Sequence, residues 1–345
     1  MPTRFLLGAI MTDAGTNALN LAGGAPEVSL VIPCYNEETV LDVLFERVTA
    51  AAAAWDCTWE IVCVDDGSQD RTWAMLQAQH VKDPRWKSLS FARNFGQQTA
   101  ISAGLFHAAG RAVMIIDADL QDPPELLKGF IEKWREGYEV VYAVRIRRKG
   151  GIAKRVAYWA FYRLLAKTSS LPIPRDSGDF CLMDRCVVDV LNSMPERHRF
   201  LRGLRVWPGF RQIGIAYRRP LRAAGETKYT FRKLFNLAFD GIFAFSDVPL
   251  RVAVFLGLAV SGVSAFLLGL VFLHRLWPGI PDWIGLAHVS SAVMQTTAIV
   301  FFGGVQLFCT GLLGEYMGRV YDEVKRRPQW VVRQAAGVQS RVPPR

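Results

Sequence analysis

The stretch VSLVIPCYNEETVLDVLFERVTAAAAAWDCTWEIVCVDDGSQD, residues 28–70, decides the fold. A short β-rich run, VSLVIP, leads into a helical stretch from Glu37 to Ala54, and EIVCVDD then reads as a second strand. Strand, helix and strand in this order make a βαβ unit, whose strands lie parallel. The pattern continues outward with a helix over Asp70 to His80, the strand SLSFA, and a helix over Gln97 to Ala109. The strand AVMIID, a helix over Pro124 to Glu136 and the strand EVVYAV complete it. The expectation is an α/β domain with a mainly parallel sheet over residues 27–228.

Ligands of such sheets bind beyond the carboxyl ends of the strands. Here each strand runs into polar chemistry there: PCYNEE, DDGSQD, ARNFGQ, DADLQD and the arginine-rich RIRRKGG. One polar loop means little, but five at one edge build a site. In DADLQD, Asp117, Asp119 and Gln121 supply hard oxygen ligands. Mg2+ or Mn2+ held this way shares its remaining positions with substrate phosphates. The competing reading is an acidic loop before a helix that starts near Pro124, with Asp122 as its N-cap. Both hold together if Asp122 caps while Asp117 and Asp119 face the cleft.

The chain has 345 residues, 51% of them hydrophobic, and a formal net charge of +10. The apolar residues are unevenly spread. Val252 to Leu273 and Val289 to Leu313 contain no Asp, Glu, Lys or Arg, and each reaches the ~20 residues needed to cross a bilayer. The expectation is a transmembrane hairpin of two helices, about 250–273 and 287–313, within residues 248–314. Basic residues precede and follow this pair, while its link, His274 to His288, carries one Arg and one Asp. By the positive-inside rule both ends then face the cytoplasm, so the large N-terminal domain is expected in the cytosol and the chain as a multi-pass protein of the inner (plasma) membrane.

The positive charge suits an anionic membrane face or phosphate-bearing substrates. Nucleic acid is the weaker partner, because no binding motif accompanies the charge. KRVAYWAFYRLLAK (residues 154–167) and YTFRKLFNLAFDGIFAF (residues 229–245) interleave basic and aromatic residues. They fit amphipathic interface helices over 152–168 and 229–247, with docking onto the soluble core as the alternative. The six cysteines show no C-x-x-C pair and read as reduced thiols rather than metal ligands. Residues 1–26 read as a mobile leader and 315–345 as a basic cytosolic tail, in which QWVVR either adds a strand to a neighbour or frays. The tail and the short hairpin leave room for a homo-oligomer.

VIPCYNEE, VDDGSQD, DADLQDPPE, SGDF and GETKY, in this order and spacing, resemble a family-2 glycosyltransferase of the GT-A fold. The similarity is to polyprenyl-phosphate glycosyltransferases, the group of dolichol-phosphate mannose synthase and bacterial undecaprenyl-phosphate glucosyltransferases, and it covers roughly Glu27 to Arg333. It implies that Pro33, Tyr35, Glu37, Val64 and Asp66 line the base and ribose of a nucleotide-sugar. Asp117, Ala118 and Asp119 would meet its diphosphate, joined by Arg145, Arg222 and Lys228. The rival reading of Glu37 is favourable charge at a helix N-terminus, and of Arg222 and Lys228 a membrane-facing basic surface.

The same resemblance puts the catalytic base at Asp179, in DSGDFCLMDR. The implied acceptor, polyprenyl phosphate, is already anionic near pH 7, so Asp179 has more to align than to deprotonate. In RHRFLRG, expected as a loop, Arg199 and Arg202 suit the acceptor phosphate, with surface solubility as the rival. The implied reaction is an inverting transfer of a hexose, from UDP-glucose or another UDP-sugar, onto undecaprenyl phosphate. GDP-mannose as donor, a processive polysaccharide synthase and a catalytically silent scaffold are the alternatives. A processive synthase carries Q-x-x-R-W and more spans, whereas this chain has LRGLRVW and two.

Overall fold

The computed structural model describes residues 24–145, 177–197, 199–217 and 291–338, with parts of 250–266. Eight strands form one sheet: β1 Val28–Cys34, β2 Trp59–Asp65, β3 Trp86–Phe91, β4 Ala112–Ile115, β5 Val140–Arg145, β6 Ser177–Asp184, β7 Gln212–Tyr217 and β8 Val332–Ala336. Their order is β7-β5-β6-β4-β1-β2-β3-β8. β1 pairs in parallel with β2 and β4, β2 with β3, and β5 with β7. β6 runs antiparallel between β4 and β5, and β8 antiparallel on the outer side of β3. The mainly parallel α/β expectation holds.

The helices are α1 Leu41–Ala52, α2 Thr72–Lys82, α3 Gln97–His107, α4 Leu127–Arg135, α5 Arg185–Ser193, α6 Leu201–Leu204 and α7 Ser291–Val324. Every residue of β1 and β2 is buried, as expected of central strands covered on both faces. Leu41, Leu44, Phe45 and Val48 make the buried stripe of α1, and with Leu30 and Ile32 they build the core on one face. Val31, Val62 and Val64 turn to the opposite face and pack with α3, α5 and Trp330. Burying one such aliphatic side chain stabilises by about 1.5–3 kcal/mol. Gly104 of α3 sits where a Cβ would lie 2.2 Å from the Val31 side chain, which sets how closely α3 approaches β1.

One boundary differs from the sequence reading, and the structure adds two elements to it. α1 starts at Leu41 rather than Glu37, because Glu37 to Val40 form a turn in which the Val40 and Leu41 N–H groups donate to the Glu37 carbonyl. The segment containing Asp179 is a strand, and it separates β5 from β4. The tail does not simply fray: β8 extends the chain's own sheet, and Trp330 is 5% exposed in the core.

α7 includes a 27-residue stretch, Ala298–Val324, long and apolar enough to cross a membrane, with none of its most apolar window buried. It runs past Leu313, where the second span was expected to end. Of the first expected span, residues 253–260 are helical, and the Cys309 thiol on α7 lies 3.8 Å from the Ala253 carbonyl. The remainder of that span lies largely outside the described residues, as do residues 1–23 of the leader, both interface helices, Arg222 and Lys228. All six cysteines are free thiols.

Candidate active site

The sheet order reverses between β1 and β4. From β1 the chain moves outward through β2 and β3, then returns through α3 on the other face to β4. Loops leaving β1 and β4 therefore diverge and open a crevice at their carboxyl ends, the position where open α/β sheets bind ligands.

On the β1 side, residues 36–38 and 68–72 are laced together. The Asn36, Glu37 and Glu38 N–H groups donate to Ser68 Oγ, Thr72 Oγ1 and Asp70 Oδ2 at 2.9, 2.9 and 3.2 Å. In return the Gln69 N–H donates to Asn36 Oδ1 at 2.9 Å and the Arg71 N–H to Glu38 Oε2 at 3.1 Å. Asn36 takes a positive φ of 53°, which asparagine tolerates better than most residues. Tyr35 is exposed beside this rim, while Pro33 and Val64 are buried within their strands. Asp66 is also buried, and its carboxylate accepts the Phe95 and Gly96 N–H groups at 2.6 and 2.9 Å. Burial raises its pKa above the usual carboxylate range, against those two hydrogen bonds. Pro33, Val64 and Asp66 are thus held within the fold beneath these loops, whereas Tyr35 and Glu37 are at least partly exposed.

The β4 side carries the acidic run. Its burial alternates: Asp117, Asp119 and Gln121 are partly exposed, whereas Ala118, Leu120 and Asp122 are buried. All three oxygen donors therefore share the accessible side. Leu120 holds a φ of 56°, an uncommon conformation for a leucine. The Asp122 carboxylate accepts the Tyr217 hydroxyl of β7, and the cap position before Pro124 is Pro123. The N-cap role expected for Asp122 is thus replaced by an anchor to β7. Tyr217 escaped the sequence reading because β7 lies 95 residues from Asp122.

β6 contributes Asp179. Ile115 pairs with Cys181, so the same antiparallel register continued by two residues brings Asp179 level with Asp117. Two successive glutamines at the start of α3 face these carboxylates. Gln97 Nε2 donates to Asp117 Oδ1 at 2.7 Å, and Gln98 Nε2 donates to Asp179 Oδ2 at 3.1 Å. Gln98 Oε1 also accepts the Leu201 N–H at 3.1 Å, tying α6 to the same point. The quoted ARNFGQ loop contained the first of these glutamines, but nothing in its spacing revealed either partner.

Arg202 binds Asp179 with both arms, Nε to Oδ1 at 2.9 Å and Nη2 to Oδ2 at 3.1 Å. Burial works to raise the Asp179 pKa, but the charge and hydrogen bonds of Arg202, the charge of Arg205 and the Gln98 amide lower it below the usual range. Asp179 is therefore a fixed carboxylate and a weak base. The arginine expected on a loop stands on the short helix α6, and Arg199 is turned inward to donate to the Leu191 carbonyl. Arg145 ends β5 opposite Tyr217.

Residues 29–191 match glycosyl transferase family 2. A Bacillus subtilis relative, "Uncharacterized glycosyltransferase YkcC", is 42% identical over 91% of this chain and 96% of its own length. The chain belongs to glycosyl transferase family 2. This glycosyltransferase is also 40% identical, over 90% of its length and 98% of the relative's, to the "SfII prophage-derived bactoprenol glucosyl transferase" of Shigella flexneri. Among solved structures it is similar to glucosyl-3-phosphoglycerate synthase from Mycobacterium tuberculosis, with 18% identity, 64% of this chain and 78% of that chain covered, and a TM-score of 0.43.

Proposed function

We propose that this glycosyltransferase moves a hexose from a nucleotide-sugar, with UDP-glucose the favoured donor, to polyprenyl phosphate at a membrane surface. The observation that carries this reading is Asp179, gripped by Arg202, on the strand paired with β4, whose chain continues into the partly exposed Asp117, Asp119 and Gln121. Relatives named bactoprenol glucosyl transferase, about 40% identical over most of the chain, support the acceptor and the sugar.

The donor set fits a hard divalent cation: two carboxylates and an amide oxygen share one accessible side of a loop whose other side is buried. Among the described residues no group of three His, Cys, Asp or Glu gathers into a metal site. Bound Mg2+ or Mn2+ would neutralise charge developing on the leaving diphosphate. Tyr35 and Glu37 offer a flat ring and a carboxylate to the nucleoside. Arg145, and Arg222 and Lys228 in the segment before GETKY, would balance phosphate charge. Asp179 aligns the acceptor oxygen on the anomeric carbon, while Arg202 is the cation for its phosphate; Arg199, expected beside it, is turned away to the Leu191 carbonyl. The exposed apolar α7 and the approach of its Cys309 to the Ala253 carbonyl support a membrane hairpin that holds this crevice at head-group level.

The test uses purified full-length protein with Mg2+ or Mn2+, polyprenyl phosphate and a panel of nucleotide-sugars. Mass spectrometry of the lipid is expected to show a single added hexose with matching release of nucleoside diphosphate. A polymeric product would replace the reading with a processive synthase. Turnover only with GDP-mannose would change the donor.

A further inference from the structure

Arg205 stands one helical turn after Arg202, so the two guanidinium groups leave the same side of α6. Their surroundings differ. The Arg202 side chain is 24% exposed, whereas Arg205 is 2% exposed. Arg205 donates from Nη1 to the carbonyl of Gly178 at 3.2 Å, the residue just before Asp179, and its guanidinium lies 5.1 Å from the centre of the Tyr142 ring. Its Nε and Nη2 are buried without a hydrogen-bond partner. Arg205 and Asp179 line the same small internal void, together with Ile115, Cys181 and Arg202.

A buried guanidinium with unmade hydrogen bonds is expensive to keep unless a charge compensates it. The carboxylate that lines the same void is Asp179, and the nearby Arg205 charge favours its ionised form. Yet in this structure both Asp179 oxygens are taken by Arg202, the arginine nearer to solvent. Of the two, Arg202 is the one that solvent, and so an anion, can reach.

We propose that Arg205 is a positioning residue that takes over Asp179 when the acceptor phosphate draws Arg202 away. The outer arginine serves the substrate, and the inner one keeps the carboxylate ionised and aimed through its grip on Gly178 and its unused Nε and Nη2 donors. Asp179 then never faces the crevice as an uncompensated buried charge. This inference rests on the polyprenyl-phosphate reading.

The experiment compares Arg205→Met and Arg205→Lys with wild type, all full length in detergent, using polyprenyl phosphate as acceptor and thermal unfolding as the control on folding. Loss of a positioning charge is expected to lower kcat about 10- to 100-fold in the Met variant, with the lipid KM within about twofold. The Lys variant, which keeps the charge, is expected within about fivefold of wild-type kcat. If the Met variant does not fold, Arg205→Gln takes its place beside Arg205→Lys, with the same expectation. A neutral variant that is folded and has wild-type kcat would reduce Arg205 to packing and overturn the proposal. So would equal losses in the neutral and Lys variants, or an effect confined to the lipid KM, which would make Arg205 a direct phosphate ligand. A wild type inactive on polyprenyl phosphate but active on another acceptor would sink the underlying reading and this proposal with it, an outcome visible before any variant is measured.

Discussion

At the scale of single residues, chemistry and fold are separable along DADLQD because its exposure alternates. Asp119 is partly exposed, and its Oδ1 accepts the Gln121 N–H at 3.1 Å. Asp119→Asn keeps the size and an acceptor oxygen but loses the charge. Transfer is expected to fall by at least about 100-fold, with the unfolding midpoint nearly unchanged; an Asn variant with full turnover would remove Asp119 from the site. Gly67 is the opposite case. It holds a φ of 69°, and a Cβ there would lie 2.5 Å from the Arg93 backbone carbonyl carbon. Gly67→Ala is expected to destabilise by more than the roughly 1–2 kcal/mol of a left-handed residue alone, because the β2 and β3 loops must also part. Denaturant titration reads this directly.

At the scale of elements, β8 joins the end of α7 to the catalytic sheet. The Ala92 N–H donates to the Val331 carbonyl at 2.9 Å, and Trp330 packs edge-on to Phe106 at 6.0 Å between ring centroids. The same junction holds the segment leading into α6: the Arg197 N–H donates to Glu323 Oε1 at 2.8 Å, and Gln329 Nε2 to the Glu196 carbonyl at 3.2 Å. Trp330→Ala is therefore expected to cost about 3–5 kcal/mol. Val331→Ala, at a half-exposed neighbour, is expected to stay within about 0.5 kcal/mol. Equal unfolding midpoints for the two variants would show that β8 is not anchored by its tryptophan.

At the scale of the whole molecule, Asp179 contributes to acid stability together with Asp70, Asp83 and Asp184, whose carboxyls are also held below the usual value. The folded pKa of Asp179 lies below the unfolded value of about 3.9. The stabilisation is therefore present above that value and is lost as pH falls through the depressed folded value. Asp66 runs the other way: its raised folded pKa gives stabilisation present below the unfolded value and lost as pH rises through the folded one. Asp179→Asn is expected to flatten the acid end of the stability curve, measured as unfolding midpoint against pH; an unchanged acid limb would contradict the assignment. Chelation is a second test at this scale. EDTA is expected to abolish transfer, and added Mg2+ or Mn2+ to restore it, without a change in fold by circular dichroism.

Local pattern was enough for the parallel α/β frame, the polar strand ends and the apolar character of α7, because each depends on periodicity within some twenty residues. The DADLQD loop was legible as a group of oxygen donors for the same reason. What neighbouring residues could not reveal was pairing across long separations. The insertion of β6 between β4 and β5 puts Asp179 level with Asp117, Gln98 reaches Asp179 over 81 positions, and Tyr217 takes Asp122 away from the helix cap. The roles of Arg202 and Arg205 also separate only in three dimensions. By themselves they are two arginines three apart, and burial alone makes one a rim cation and the other an internal charge. The sequence by itself determined which elements form and which chemical groups lie at the sheet edge. The tertiary structure decided which of those groups meet and which of them water can reach.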